Sequence, residues 1–329
     1  MNKKTLLLAA LCLVCACGQS PRDQALTDVK SYVQSNLDDL AAASTALQAA
    51  APTTAWADRA PIDAMRAEWR KARTAYENIE GAIAVLFPEL DASTDERYDG
   101  FLANGPDNDL FDDQGVTGVH AIERILWSDS IPERVKTFEK ALPGYQPARF
   151  PATSAEAQSF RDKLCARLVR DINTMRDQFR PLALDPAAAF RGVIGSIGEQ
   201  VEKANKAATG EEESRYAQYT LADMRANVAG GVRTAAAFRP WLESVGAADT
   251  DAKIQAGFAR LNAAYGALPG DALPPVPATW SSTNPSAADQ ATPFGTLYKV
   301  LKDEADPARD GSLSQAMDRA AAQLGIPQL

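Results

Sequence analysis

Apolar residues return every three to four positions along almost the whole of this chain, while alternating or β-branched runs that announce strands are nearly absent. A face repeating at that period belongs to a helix, so the apolar stripes have to be buried between helices, and the expected fold class is all-α. Leu26, Val29, Val33, Leu37, Leu40 and Leu47 mark a first helix. Met65, Trp69, Ala72, Tyr76, Ile79, Ile83 and Leu86 mark a second, stopped by Pro88. Residues 91–114 read as an irregular acid-rich connection broken at Asn104-Gly105-Pro106. A helix over 115–127 and a shorter one over 132–142 follow. Prolines 143, 147 and 151 mark the expected domain boundary. Beyond it, Phe160 to Phe179, Phe190 to Val201, residues 211–242 and residues 251–268 carry helical stripes. A Pro-rich segment at 269–293 is long for a connection inside a compact domain, and helices over 294–304 and 312–324 close the chain. The layout predicted is two helical bundles in series, 18–145 and 146–329, behind a leader over 1–17.

The leader has Lys3 and Lys4 at its charged start, an apolar run over 6–14, and an ending at Cys17 that resembles a bacterial lipobox. Cys17 is therefore expected to carry lipid, placing the mature protein in the periplasm or cell envelope. Gly18, in place of an aspartate, tips the choice toward the outer membrane. Cys12 and Cys15 leave with the leader, so Cys165 is alone and no disulfide framework is expected. A formal charge of −9 argues against nucleic acid as a partner and suits attraction of cations.

The chain holds 1 histidine, His120, in the stretch GVTGVHAIERILW. Glu123 lies three residues on, a neighbour on a helix. At about 100° per residue, Glu123 falls inside the apolar arc of its helix and His120 at the border. A carboxylate among core positions is costly unless it meets a cation or strong donors, so Glu123 is expected to be paired. His120 and Glu123 read as a metal-ligand pair needing further donors. On the second helix Glu80 borders the buried stripe, whereas Glu77 lies further round, on a face expected to be solvated. Asp95 and Asp99 can contribute from the connection, with Arg97 bridging two carboxylates. A single histidine excludes a His-Glu-x-x-His zinc site and the double Glu-x-x-His di-iron site. There is no Gly-x-Ser-x-Gly nucleophile elbow. The acidic run 107–115 lacks the glycine and closing glutamate of an EF-hand.

Gly118, His120 and Glu123 resemble the Gly-x-His-x-x-Glu signature of the imelysin family, which includes periplasmic iron-uptake proteins of the EfeO and EfeM type. Tyr76, Glu77 and Glu80 resemble its Tyr-Glu-x-x-Glu stretch, and Asp95, Arg97 and Asp99 its Asp-x-Arg-x-Asp stretch. YAQYTLADMRANVAGG resembles a second motif at Tyr216, Leu221, Asp223, Ala226, Asn227 and Gly230, with Ala217 and Gln218 where EfeO-type chains favour Ser-His. The resemblance implies two helical bundles related by duplication and a metal site at the signature helix. It also implies iron acquisition beside an iron permease and a peroxidase-like partner. With no β domain ahead of the bundles, the short EfeM-like form is the one expected. The resemblance extends the candidate ligands to Glu77, Asp95 and Asp99.

The expected function is a lipid-anchored protein that captures iron, ferrous or ferric, and hands it on, with zinc or manganese as other ions this donor set suits. His120 supplies the nitrogen, and Glu123, Glu80, Glu77, Asp95 and Asp99 the oxygens. The rival is a metallopeptidase, which needs an open metal position and a general base besides its ligands, and a single histidine weighs against it. A third reading is a surface-binding or adhesion protein with a vestigial site, supported only by the Pro-rich segment with Trp280.

Overall fold

The computed structural model describes residues 19–192, 194 and 197–327, and among them every regular element is helical. The leader and Cys17 lie outside the described residues. Helix α1 (Pro21–Ala50) begins where sequence chemistry sets it: the Ser20 hydroxyl accepts the Asp23 amide and proline occupies the first turn. Its stripe of Val29, Val33, Leu37, Leu40 and Leu47 is buried.

The second stripe does not form one helix. Helix α2 (Arg59–Glu77) ends at Asn78-Ile79, and α3 (Glu80–Leu86) restarts at once. The interruption is satisfied from outside. Asn227 Nδ2 donates to the Glu77 carbonyl at 2.8 Å, and the Tyr32 hydroxyl donates to the Asn78 carbonyl at 3.3 Å. Carbonyls that leave a helical ladder need such partners when buried. Gly230, almost one turn beyond Asn227, lies so close to this backbone that an added Cβ would collide with the Asn78 carbonyl oxygen.

Pro88 opens a helix rather than only stopping one, and the expected irregular connection contains α4 (Pro88–Asp95) and α5 (Tyr98–Leu102). Helix α6 (Gly118–Leu126) lies against α2 and α4, followed by α7 (Glu133–Lys140). Helix α8 (Ser154–Ser159) continues through a π-helical turn at Phe160–Cys165 into α9 (Ala166–Phe179), so the long helix expected there carries one widened turn. A second π-helical turn at Ala188–Gly192 precedes α10 (Ile197–Thr209). Helix α11 (Thr220–Ser244) starts nine residues later than the stripe suggested, because residues 211–219 form turns. Helices α12 (Ala248–Gly266), α13 (Ala287–Gln290), α14 (Pro293–Ala305) and α15 (Leu313–Gln323) complete the chain.

Helix α1 packs on α2, α9 and α11, and α12 packs on α11, α14 and α15. Apolar side chains from both halves of the chain form one contiguous buried cluster. Trp280 packs edge-on against Phe294 and Tyr298, with ring centroids 4.9 Å from each, so the Pro-rich segment is pinned to α14 by its tryptophan. Cys165 is fully buried. Among the described residues no helix is long and apolar enough to cross a membrane.

Candidate metal centre

The signature glycine of α6 has a mechanical reason. Gly118 has φ +81°, a conformation L side chains rarely adopt, and an added Cβ would strike the Thr94 carbonyl oxygen. The start of α6 is thereby pressed against the end of α4, whose neighbouring residue Asp95 comes within 3.5 Å of His120 Nε2. Glu213, from the turn segment 211–219, approaches the same nitrogen at 3.4 Å. Neither approach is an aligned hydrogen bond, and Nε2 is buried without a partner.

The other face of the imidazole is committed. His120 Nδ1 lies 2.7 Å from Glu123 Oε2. Glu123 Oε1 accepts the backbone amides of Tyr216 at 2.9 Å and Ala217 at 2.7 Å. The strong donors expected for this buried carboxylate are therefore two amides of the 211–219 segment. A carboxylate on Nδ1 fixes the ring and turns Nε2 toward Asp95 and Glu213, an arrangement also common among metal-binding histidines. Burial and the charge of Arg73 push the His120 pKa down, but the carboxylates of Glu123, Glu213 and Asp95 outweigh them and lift it to about 9.

Two buried cations organise the surrounding acids. Arg73, fully buried on α2, pairs with Glu77 and Asp95 and lies 3.3 Å from Glu213 Oε1 and 3.4 Å from Asp223 Oδ1. Lys203 on α10 sits between Glu77 and Glu80, at 3.0–3.2 Å from all four of their carboxylate oxygens. Arg97 donates to Glu213 Oε2 at 3.1 Å and is not the bridge between two carboxylates that was expected; Arg73 plays that part. Desolvation raises the Asp95 carboxyl to about 7 against the pull of Arg73, and raises Glu199 to about 8. Glu213 moves the other way: Lys203, His120, Arg97 and Arg73 together overcome its burial and hold it well below the usual carboxylate range. A cavity of about 280 Å³, lined by Glu80, Asp95, Arg97, Lys203 and Glu213 among others, adjoins the cluster.

Of the residues predicted from sequence, Glu77, Glu80, Asp95, His120 and Glu123 converge. Asp99 does not join them; it faces Arg215 at 2.8 Å. Glu77, expected on a solvated face, is 1% exposed, because Lys203 of α10 and Asn227 of α11 cover that face of α2. Arg73, Lys203, Glu213, Asp223 and Asn227 were not anticipated as site residues. Arg73 left a trace: it lies one turn before Glu77 and at the edge of the same apolar stripe, where an arginine needs acids to pair with. One ligand atom each from Asp95, His120 and Glu213 lie within 4.8 Å of one another, and the same holds for Glu77, Glu80 and Glu213.

These features define an all-helical protein with a buried histidine–carboxylate centre at the contact of α2, α4, α6 and α10 with the 211–219 segment. The imelysin family model matches residues 28–324, and the chain belongs to the imelysin family. No curated protein matches it.

Proposed function

We propose that this protein captures a transition-metal ion outside the cytoplasm, iron before manganese or zinc, and delivers it for uptake. The observation that carries the reading is His120 Nε2, buried and unpartnered, aimed at Asp95 and Glu213, with Glu123 holding the ring from behind. An imidazole nitrogen with two carboxylates is a donor set that suits ferrous, ferric, manganous or zinc ions, with geometry selecting among them. In this reading His120, Asp95 and Glu213 are ligands, and Glu123 is a positioning residue. Arg73 contacts the same Asp95 and Glu213 oxygens that face the imidazole, so a bound ion competes with a guanidinium, which tempers its affinity and favours release. Both Glu123 oxygens already accept hydrogen bonds, so the signature carboxylate is not free to activate water, which supports capture over peptide hydrolysis. The leader with Cys17 supports attachment to the envelope through lipid. An iron permease and a peroxidase-like protein are the partners such a role calls for.

Calorimetric titration with ferrous, ferric, manganous and zinc ions tests the proposal. The protein binds at least one of them, and His120→Ala weakens that binding by more than about 100-fold, beyond what loss of an outer-shell partner alone costs. Equal affinity of the two proteins for every ion contradicts it.

A further inference from the structure

Glu213 belongs to both groups of converging ligand atoms. Its Oε1 faces His120 and Arg73, and its Oε2 faces Arg97 and, at 4.0 Å, Lys203. A carboxylate shared between two cation positions is how paired-metal sites are bridged. Here the second position, among Glu77, Glu80 and Glu213, is filled by the chain itself. Lys203 is 3% exposed, and its ammonium lies 3.0–3.2 Å from all four oxygens of Glu77 and Glu80. Asn227 Nδ2, which also faces the Glu77 carbonyl, shares its two N–H bonds with a carboxylate oxygen of each glutamate, which aims both groups at the same point. An ammonium is a compact point charge with three donors, the side chain nearest in character to a bound ion. Burying it is tolerable only because carboxylates surround it.

We infer that Lys203 is a built-in second cation: it occupies the Glu77–Glu80–Glu213 position and limits the protein to one metal ion, held at His120, Asp95 and Glu213. This rests on the capture reading of the same centre and adds a residue that sets the number of ions. Removing the ammonium leaves Glu77 and Glu213 with Arg73 and takes away the ion-pair partner of Glu80, so a metal ion is drawn into the position.

The test counts manganous ions per chain by calorimetry, with electron paramagnetic resonance distinguishing isolated from coupled ions. The wild-type protein binds one ion and shows the signal of an isolated manganous ion. Lys203→Met binds two, shows exchange coupling, and melts at a lower temperature than the wild type until the ion is added. Lys203→Arg, which keeps a cation, stays at one. Two ions in the wild type, or one in a folded Lys203→Met protein, overturns the inference while leaving the capture reading standing. Should Lys203→Met fail to fold even with the ion present, the wild-type count decides. Binding that His120→Ala leaves untouched instead removes the capture reading on which the inference rests.

Discussion

His120 and Arg124 sit one turn apart on α6, and each anchors a buried ionic cluster, yet the clusters are built to different ends. Arg124 lies 3.2 and 3.1 Å from Glu139 Oε2 through two of its nitrogens and also donates to the Gln146 carbonyl. Tyr216 closes the pair by donating its hydroxyl to Glu139, and the Tyr98 ring centroid is 3.8 Å below the guanidinium. Among the described residues, no buried side-chain atom of Arg124, Glu139 or Tyr216 lacks a partner. Around His120 the acids outnumber the cations, and Nε2 faces two carboxylates at 3.4 and 3.5 Å without an aligned hydrogen bond. The closed cluster holds the fold together, whereas the open one, with carboxylates in excess around an imidazole, is where the proposed ion would sit. The two share the 211–219 segment, since the Tyr216 amide holds Glu123 while its hydroxyl holds Glu139.

Breaking the closed cluster has the largest expected effect. Arg124→Met strands Glu139 in the core, and urea denaturation should show a loss of roughly 3–5 kcal/mol, the usual result of removing one partner of a buried pair. The count of ions bound by the folded protein stays unchanged; a changed count shows that the two clusters are not separable. In the open cluster, Glu123→Gln keeps the shape but weakens the orientation of the imidazole. Metal affinity then falls about 10- to 100-fold by titration, the range for outer-shell partners of a ligating histidine.

The smallest effect per step is a pH dependence with opposite signs for folding and binding. His120 is lifted from 6.5 to about 9 by its carboxylate neighbours acting against burial and Arg73. A group with a higher pKa in the folded state adds stability that is complete below its unfolded value and disappears as pH rises through the folded one. The ion-free protein therefore loses stability from about pH 6.5 to 9. Ion binding needs the nitrogen deprotonated, so affinity rises by about tenfold per unit over that window. Melting curves with and without zinc check both slopes, and His120→Ala flattens the ion-free one.

Much of the fold was legible because apolar residues recur at helical spacing through α1, α12 and α14, where the stripes and the observed helices agree to within a few residues. The His120–Glu123 contact and the pairing demanded by a buried Glu123 followed from spacing and burial alone. Local periodicity fails where the long-range partner decides the backbone. The stripe running from Met65 to Leu86 predicts one helix, but Asn227 and Gly230, about 150 residues away, favour the interruption at Asn78 by supplying a donor and a close approach. Glu77 is buried for the same kind of reason, under Lys203 and Asn227 from distant parts of the chain. Residues 211–219 were hidden for a related reason: a run of glutamates beside good helix formers looks like the solvated start of α11. Only the fold reveals that its amides bind Glu123 and that Glu213 points at His120. Asp99 shows the converse, a residue placed in the ligand set by the acidic connection and then by motif, and drawn off by Arg215.

Anomalous diffraction from crystals soaked in ferrous or manganous ion under exclusion of oxygen locates the ion itself. A single peak is expected within bonding distance of His120 Nε2, flanked by carboxylate oxygens of Asp95 and Glu213, with Glu123 still on Nδ1. A peak elsewhere, with His120 untouched in protein shown by titration to be loaded, contradicts it.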